Sequence, residues 1–324
     1  MLLLFLAKGS STLKAQSDSV PYTLFNEQLV VYMDLGYSTA PFTVRYPFTN
    51  STDQLKFKNN YRNILGFGLC YKWFSLRLSL PLPGYARQVE RYGKTTPFNV
   101  GFDFSLKKFF FDTDLRFFKG YAIEDAYTWN DTLSPVSPNL IRPETQSLSY
   151  SLNTWYFNNK NFKMSALRGK TGHYTSAVHT WYVKGTFNIF GSSNGSEELI
   201  PDVLQTSKPQ TLSSYYSAMD MGIVPGYAYV NRINNWQFSI IAGIGGVVQA
   251  KFYENNGNAR GFLGLAPRYD FRMMGGYSVP SWFVFLITDF DNKSIRFGEL
   301  VYRQNYYSVK VVAGKRFPQK SRKN

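Results

Sequence analysis

Phe98-Asn99-Val100-Gly101-Phe102-Asp103-Phe104-Ser105-Leu106 leads through Lys107-Lys108 into Phe109-Phe110-Phe111-Asp112-Thr113-Asp114-Leu115-Arg116-Phe117. Positions 98, 100, 102, 104 and 106, then 109, 111, 115 and 117, are bulky and apolar. Between them lie Asn99, Gly101, Asp103 and Ser105, then Phe110, Asp112, Asp114 and Arg116. A period of two is the signature of a strand, and a two-residue connection makes the strands antiparallel neighbours. The resulting ribbon has one aromatic face and one charged face. In a water-soluble sheet the aromatic face would be a core, but here it is too extensive and too aromatic for that. The pattern fits an all-β fold, a transmembrane antiparallel β-barrel with lipid outside and polar groups within.

The composition agrees. Aromatic residues make up 18% of the 324 residues, with 28 Phe and 24 Tyr, and mean hydropathy is slightly negative. No apolar run approaches the roughly 20 residues a membrane helix needs, whereas a barrel strand crosses in about 10, half of them polar. No linker or composition shift separates two cores, so residues 17–317 read as a single barrel. The same alternation returns in Leu29–Tyr46, Leu65–Cys70, Phe74–Leu80, Leu148–Tyr156, Phe162–Ala166, Trp236–Gly245, Leu263–Met273 and Tyr307–Ala313. Pairing Leu69 with Phe74 and Leu65 with Leu78 keeps the apolar side continuous, since a one-residue slip would turn Arg77 toward lipid.

The short turns are each followed at once by aromatic residues: Trp73 and Phe74, Phe109, Phe162, Trp236, and Trp282 with Phe283. Aromatic side chains anchor at headgroup level, and short turns lie on the periplasmic side of bacterial barrels. These residues are therefore expected to form one membrane-interface rim. With both termini periplasmic, parity then gives about 12 strands, short periplasmic turns and longer outer loops, with about 14 strands as the alternative. The count requires 169–217 to be a long outer loop, free or folded into the lumen, although 175–190 is itself strand-like.

Inward positions collect both signs of charge: Arg77, Asp103, Asp112, Asp114, Arg116, Arg268, Asp270, Arg272, Lys310 and Arg316. Asp103 should lie opposite Asp112. Facing carboxylates can share a proton and act as acid and base. The simpler expectation is an ion-pair network with Arg77 and Arg116 that fills a narrow lumen. The only histidines, His173 and His179, flank Ser176. The second alternative is a lipid hydrolase with Ser176 as nucleophile, served by His173 or His179. No catalytic residues are assigned, and no cofactor or metal is expected, because two histidines without a third ligand make a poor site.

The single cysteine, Cys70, falls on an inward position and reads as a small buried residue. The formal charge of +15 is spread through turns and loops and collects in a basic C-terminal tail, 318–324. Nothing resembles a basic recognition helix, so nucleic acid is not an expected partner. Outer-membrane lipid, lipopolysaccharide and proteins of an outer-membrane complex are. Met1–Ala7 is apolar but short, and 1–16 reads as a truncated or weak signal peptide.

Asn63-Ile64-Leu65-Gly66-Phe67-Gly68-Leu69-Cys70-Tyr71-Lys72-Trp73-Phe74-Ser75-Leu76, Phe117-Phe118-Lys119-Gly120-Tyr121, Pro225-Gly226-Tyr227-Ala228-Tyr229 and Gly314-Lys315-Arg316-Phe317 carry a family likeness. From Val30 to Phe317 the chain resembles the uncharacterised outer-membrane barrel proteins of Bacteroidetes grouped as domain of unknown function 4421. Thr171-Gly172-His173-Tyr174-Thr175-Ser176-Ala177 departs from the family pattern. The resemblance implies a barrel fold in a Gram-negative outer membrane and brings no activity or catalytic residues. The expected role is structural or interactive, as a component of or accessory to an outer-membrane assembly. A narrow porin for small acidic solutes is the rival, and the lipid hydrolase comes second.

Overall fold

The computed structural model describes residues 20–49, 52–60, 63–84, 87–106, 108–255 and 257–318. The expected signal peptide at 1–16 and all of the basic tail except Pro318 lie outside them. The strands in chain order are β1 Tyr22–Leu24, β2 Leu29–Thr39, β3 Phe42–Thr49, β4 Thr52–Lys58, β5 Asn63–Tyr71, β6 Phe74–Pro81, β7 Thr96–Leu106 and β8 Phe109–Ile123. They continue with β9 Leu140–Phe157, β10 Gly172–Tyr174, β11 Val178–Ser193, β12 Tyr215–Ile233, β13 Trp236–Asn255, β14 Asn258–Ser278, β15 Trp282–Phe297 and β16 Leu300–Phe317. Two single-turn helices are α1, Val89–Tyr92, and α2, Met164–Leu167.

Fourteen strands form one antiparallel sheet, and twelve of them, β2, β5–β9 and β11–β16, close a ring through β16 and β2. Both sequence-derived counts therefore describe something real: twelve strands make the ring, and β3 and β4 add two more. The register is the one required by keeping Arg77 off the lipid side, with Leu69 beside Leu76, Leu65 beside Leu80, and Gly68 beside Arg77. The expected partners Leu69–Phe74 and Leu65–Leu78 are each shifted by two residues, which preserves the face and changes only the neighbour, because the turn takes in Tyr71↔Phe74.

The wall has two tiers. At the end that carries both termini, β2, β5, β6 and β7 stand between β16 and β8. At the opposite end, the loop end, the β3–β4 hairpin takes their place, with β3 paired to β16 (Gln304↔Phe42) and β4 to β8 (Phe57↔Ile123). β3 prolongs the line of β2 after a break at Ala40-Pro41, which is why Leu29–Tyr46 reads as one strand in the sequence. Four columns thus become two, and the barrel narrows toward the loop end.

Alternation assigns the faces. On β13, Trp236, Phe238, Ile244 and Val248 are exposed, while Gln237 and Ile241 are wholly buried. Inward glycines make room for large inner side chains. A Cβ on Gly68 would lie 2.0 Å from Cζ of Tyr32, and one on Gly66 would lie 2.2 Å from a carboxylate oxygen of Asp34. The ladder between β12 and β13 lapses at Val224-Pro225 and resumes at Gly226↔Gly243 in the same register. This is an interruption at a residue with no N–H to donate, with no extra residue inserted in either strand.

The long loop expected at 169–217 is corrected. Val178–Ser193 is ring strand β11, paired with β12 along its length and with β9 from Tyr182 to Ser193. The strand read from Phe162, Met164 and Ala166 is instead the short helix α2 inside the lumen. Three apolar residues in alternation imitated a strand, but Met164, Ala166 and Leu167 are all buried on a single helical turn. One expected crossing is lost and another gained, so the ring count is unchanged.

Candidate functional site in the barrel lumen

Two apolar stoppers fill the lumen. The stopper at the terminal end is the segment 158–177, which folds back inside the ring. Phe162, Met164, Ala166, Leu167 and Tyr174 are at most 2% exposed, and β10 pairs with β1, Tyr22 facing Tyr174. The chain can be buried there because its backbone is answered by the wall. Gln237 of β13 accepts from the Tyr174 amide at 2.8 Å and donates to the Ala166 and Leu167 carbonyls at 3.1 and 3.0 Å. Arg316 of β16 donates to the carbonyls of Lys170 (2.8 Å), Trp282 (3.2 Å), Gly169 and Val279, and to Ser278 Oγ (3.1 Å). Its guanidinium lies 4.6 and 4.9 Å from the ring centres of Phe25 and Phe283.

The loop-end stopper is aromatic. Phe42 stacks on Phe57 at 4.3 Å and meets the edge of Tyr121 at 5.1 Å, and Tyr302 stands 5.4 Å away. Leu199, Ile200 and Leu204, from the loop after β11, tuck into the same buried cluster. Tyr302 and Tyr121 place their hydroxyls against Ser192 and Ser147 at 2.8 and 2.6 Å.

Between the stoppers lies a chamber of about 90 Å3 lined by eight cationic and seven carboxylate side chains. Its strongest pair is Asp34 with Arg77, two bonds of 2.6 Å in the fork geometry that suits guanidinium and carboxylate. Arg168 reaches Asp103 at 2.8 Å, and Lys184 reaches Asp270 at 3.2 Å. Arg272 lies 3.3 Å from Asp112, 3.6 Å from Asp289 and 3.8 Å from Asp270. Arg116 bonds Asp114, lies 3.7 Å from Asp291, and sits 3.5 Å over the Tyr306 ring. Arg268 bonds Asp220, and Lys310 is 3.8 Å from Asp289. A second cavity of about 150 Å3 beside the terminal-end stopper shares Asp103, Arg168 and Lys170 with the chamber. The Arg168–Asp103 pair therefore lies on the partition.

The residues singled out in the sequence divide accordingly. Arg77, Asp112, Asp114, Arg116, Arg268, Asp270, Arg272 and Lys310 stand inward with opposite charges beside them. Asp103 and Asp112 are register partners, but each meets a different cation, and neither cation is Arg77 or Arg116. Arg316 is not in the network: among the described residues it has no carboxylate partner and clasps carbonyls instead. Of the expected rim, Trp73, Phe109, Trp236 and Trp282 are exposed on the outer wall at the terminal end, and Phe74 is half-buried beside them. Phe162 and Phe283 leave the rim, being 2% and 0% exposed. Phe162 belongs to the stopper, and Phe283 occupies an inward position of β15. Asp34, Asp220, Asp289, Asp291, Arg168, Lys184 and Lys293 join the network without having been singled out. Strand parity would have found Asp34, Asp289 and Asp291; Lys184 was hidden by reading 169–217 as a loop.

The histidines do not converge on Ser176. His173 lies in the stopper, Nδ1 3.4 Å from Ser278 Oγ and its ring edge-on to Phe25. Burial, with Arg232 and Arg316 nearby, pushes its pKa down to about 4, so the ring is neutral at pH 7. His179 lies on the outer wall, its Nδ1 2.5 Å from the Tyr227 hydroxyl. No group of metal-ligating side chains occurs among the described residues.

A β-barrel with a greasy exterior and a charged, stoppered interior is the inside-out architecture of a membrane barrel. The chain belongs to the family described as a domain of unknown function, DUF4421, whose model matches residues 17–317. No curated protein sequence matches it. Among solved structures, it is similar to the outer-membrane protease OmpT from Escherichia coli, with 8% identity over 91% of this chain and 98% of that one and a TM-score of 0.42. An outer-membrane channel from Pseudomonas putida F1 gives 10% identity over 93% and 100% of the two chains, TM-score 0.39. The beta domain of the Bordetella autotransporter BrkA gives 10% over 90% and 99%, TM-score 0.37.

Proposed function

We propose that this protein is an integral outer-membrane barrel with a structural or interaction role, closed along its axis, with both termini in the periplasm. The observation that carries this reading is the pair of apolar stoppers, one at each end of a chamber whose charges are already paired. A diffusion pore needs a continuous wet path, and here the charged section is bounded on both sides by residues with almost no exposure. The orientation follows from the exposed Trp73, Phe109, Trp236 and Trp282 beside the short turns, since short turns are periplasmic in bacterial barrels. The partners this implies are outer-membrane lipid and lipopolysaccharide, with proteins of an outer-membrane assembly meeting the loop end.

The porin reading is less favoured, because a selectivity track for acidic solutes requires unpaired cations and the lining charges nearly balance. The hydrolase reading, Ser176 served by His173 or His179, is less favoured because His173 bonds Ser278 and His179 bonds the Tyr227 hydroxyl instead. Planar-bilayer recordings of the purified protein test the proposal: the expected result is a membrane that stays insulating. Reproducible ohmic steps would overturn it. Protease access in intact cells tests the orientation, with cleavage expected in the loop around Thr132–Ser137 and none at the termini.

A further inference from the structure

The wall has a long break between two neighbouring strands. β14 and β15 pair only from Phe271↔Phe290 to Ser278↔Phe283. Beyond Phe271 toward the loop end, β14 continues beside β13 to Asn258, and β15 continues beside β16 to Phe297, with no ladder between them among the described residues. Continuing the register would set Pro267 opposite Ser294. Proline has no N–H to donate there, which gives the ladder a reason to stop.

Side chains close the gap. Arg268 Nη1 donates to the Asn292 carbonyl at 2.8 Å, Gln249 Nε2 to the Ser294 carbonyl at 3.0 Å, and Lys251 Nζ to the Arg296 carbonyl. Alternate carbonyls of one strand edge are thus met by a zipper of long side chains, two of them from β13, reaching past the inner face of β14. Lys251 crosses directly over Gly264, where an added Cβ would sit 3.2 Å from Nζ. At the foot of the break, Tyr269 and Phe290 belong to the chamber lining, so the chamber reaches the outer wall there.

Two features of the break point to a ligand. Leu263 and Leu265 are 80% and 86% exposed, well above other outward leucines of the wall such as Leu69 at 48%. Arg260 and Arg296 stand exposed near Lys251, a group of cations at the loop-end margin of the apolar belt. The geometry points to the β14–β15 break as a binding site for a phosphate-bearing lipid of the surrounding leaflet. The headgroup lies among Lys251, Arg260 and Arg296, and the acyl chains run past Leu265 and Phe290. A peptide strand fits less well, because Pro267 interrupts one edge and the zipper already occupies the other.

Only the choice of leaflet rests on the orientation proposed above; binding in micelles depends neither on it nor on conductance, so the two readings fail separately. The test uses the purified protein in uncharged detergent with chain-labelled fluorescent phosphatidylglycerol and diacylglycerol carrying the same label. Phosphatidylglycerol is expected to bind at least tenfold more tightly. The Lys251→Gln/Arg296→Gln double variant, which leaves the β13–β14 and β15–β16 ladders in place, should lose at least tenfold for phosphatidylglycerol and leave diacylglycerol unchanged, while Arg45→Gln changes neither. Equal affinity for the two lipids, or an unaffected double variant, would overturn the site. Displacement of the labelled lipid by an equal concentration of inorganic phosphate would reassign the cations to a free anion and overturn it as well.

Discussion

Replacing Gln237 by leucine should release the terminal-end stopper while leaving the barrel closed. The amide is wholly buried and makes three hydrogen bonds to the stopper backbone: one from the Tyr174 N–H and two to the Ala166 and Leu167 carbonyls. Leucine restores the volume and removes all three. The two donated bonds are worth about 1 kcal/mol each, and the Tyr174 amide left without a partner adds another ~1 kcal/mol at least. The sum, about 3 kcal/mol, multiplies the population of the undocked stopper by roughly 150. Hydrogen exchange in detergent reads this directly: amides of 162–174 should exchange about two orders of magnitude faster, with β13 and β14 unchanged. Gln237→Glu should loosen the stopper further than leucine does at neutral pH, because a wholly buried carboxylate would face the Ala166 and Leu167 carbonyl oxygens. A change below threefold in the stopper, or equal loss across the ring, would refute the reasoning, because docking would then not depend on these bonds.

Asp34→Ala leaves Arg77 buried without its fork partner and should cost about 3–5 kcal/mol, whereas Asp53→Ala, which breaks the exposed Arg45–Asp53 pair, should cost less than about 1 kcal/mol; urea denaturation of the refolded barrels compares them. Gly68→Val drives a side chain into the Tyr32 ring and should lower stability by about 1–3 kcal/mol or more, seen as a lower heat-modifiability midpoint on gels. His173 is neutral in the folded stopper and has an ordinary pKa near 6.5 when released. Between about pH 6.5 and pH 4 the released form therefore holds the extra proton, so docking is strongest above pH 6.5 and weakens as pH falls toward 4. Exchange of 162–174 should accelerate between pH 7 and pH 5 after correction for intrinsic rates, and His173→Gln should flatten that dependence.

The barrel was legible in the sequence because its rule is local: side chains alternate, and Phe98–Phe117 states the alternation without ambiguity. The lumen was legible only as a set of inward charges. Parity places Asp103, Asp112, Asp114 and Arg116 inside, but which cation meets which carboxylate depends on the far side of the ring. Asp112 meets Arg272 and Asp103 meets Arg168, partners no periodicity could supply. The stopper was missed because Phe162-Lys163-Met164-Ser165-Ala166 alternates like a strand while folding as one turn of helix. Its apolar face is matched to the inside of the barrel, a surface that exists only after the ring has closed. The break beside β15 left one visible mark, Pro267 within an otherwise regular alternating run.

The final strand has a consequence for how the chain reaches this state. β16 pairs with β2 through Leu29–Thr39 and with β3 through Phe42–Arg45, so a single segment at the end of the chain seals both tiers. Until it arrives, the first strands have no partner on that side, and the joining contacts span most of the polypeptide, as Ser38 and Tyr306 do across 268 positions. Closure of this kind is slow and exposes unpaired strand edges while it waits. A chain truncated before Leu300 would lose the wide ring and the narrow one together, leaving an open sheet that a folding helper must hold or a protease must clear.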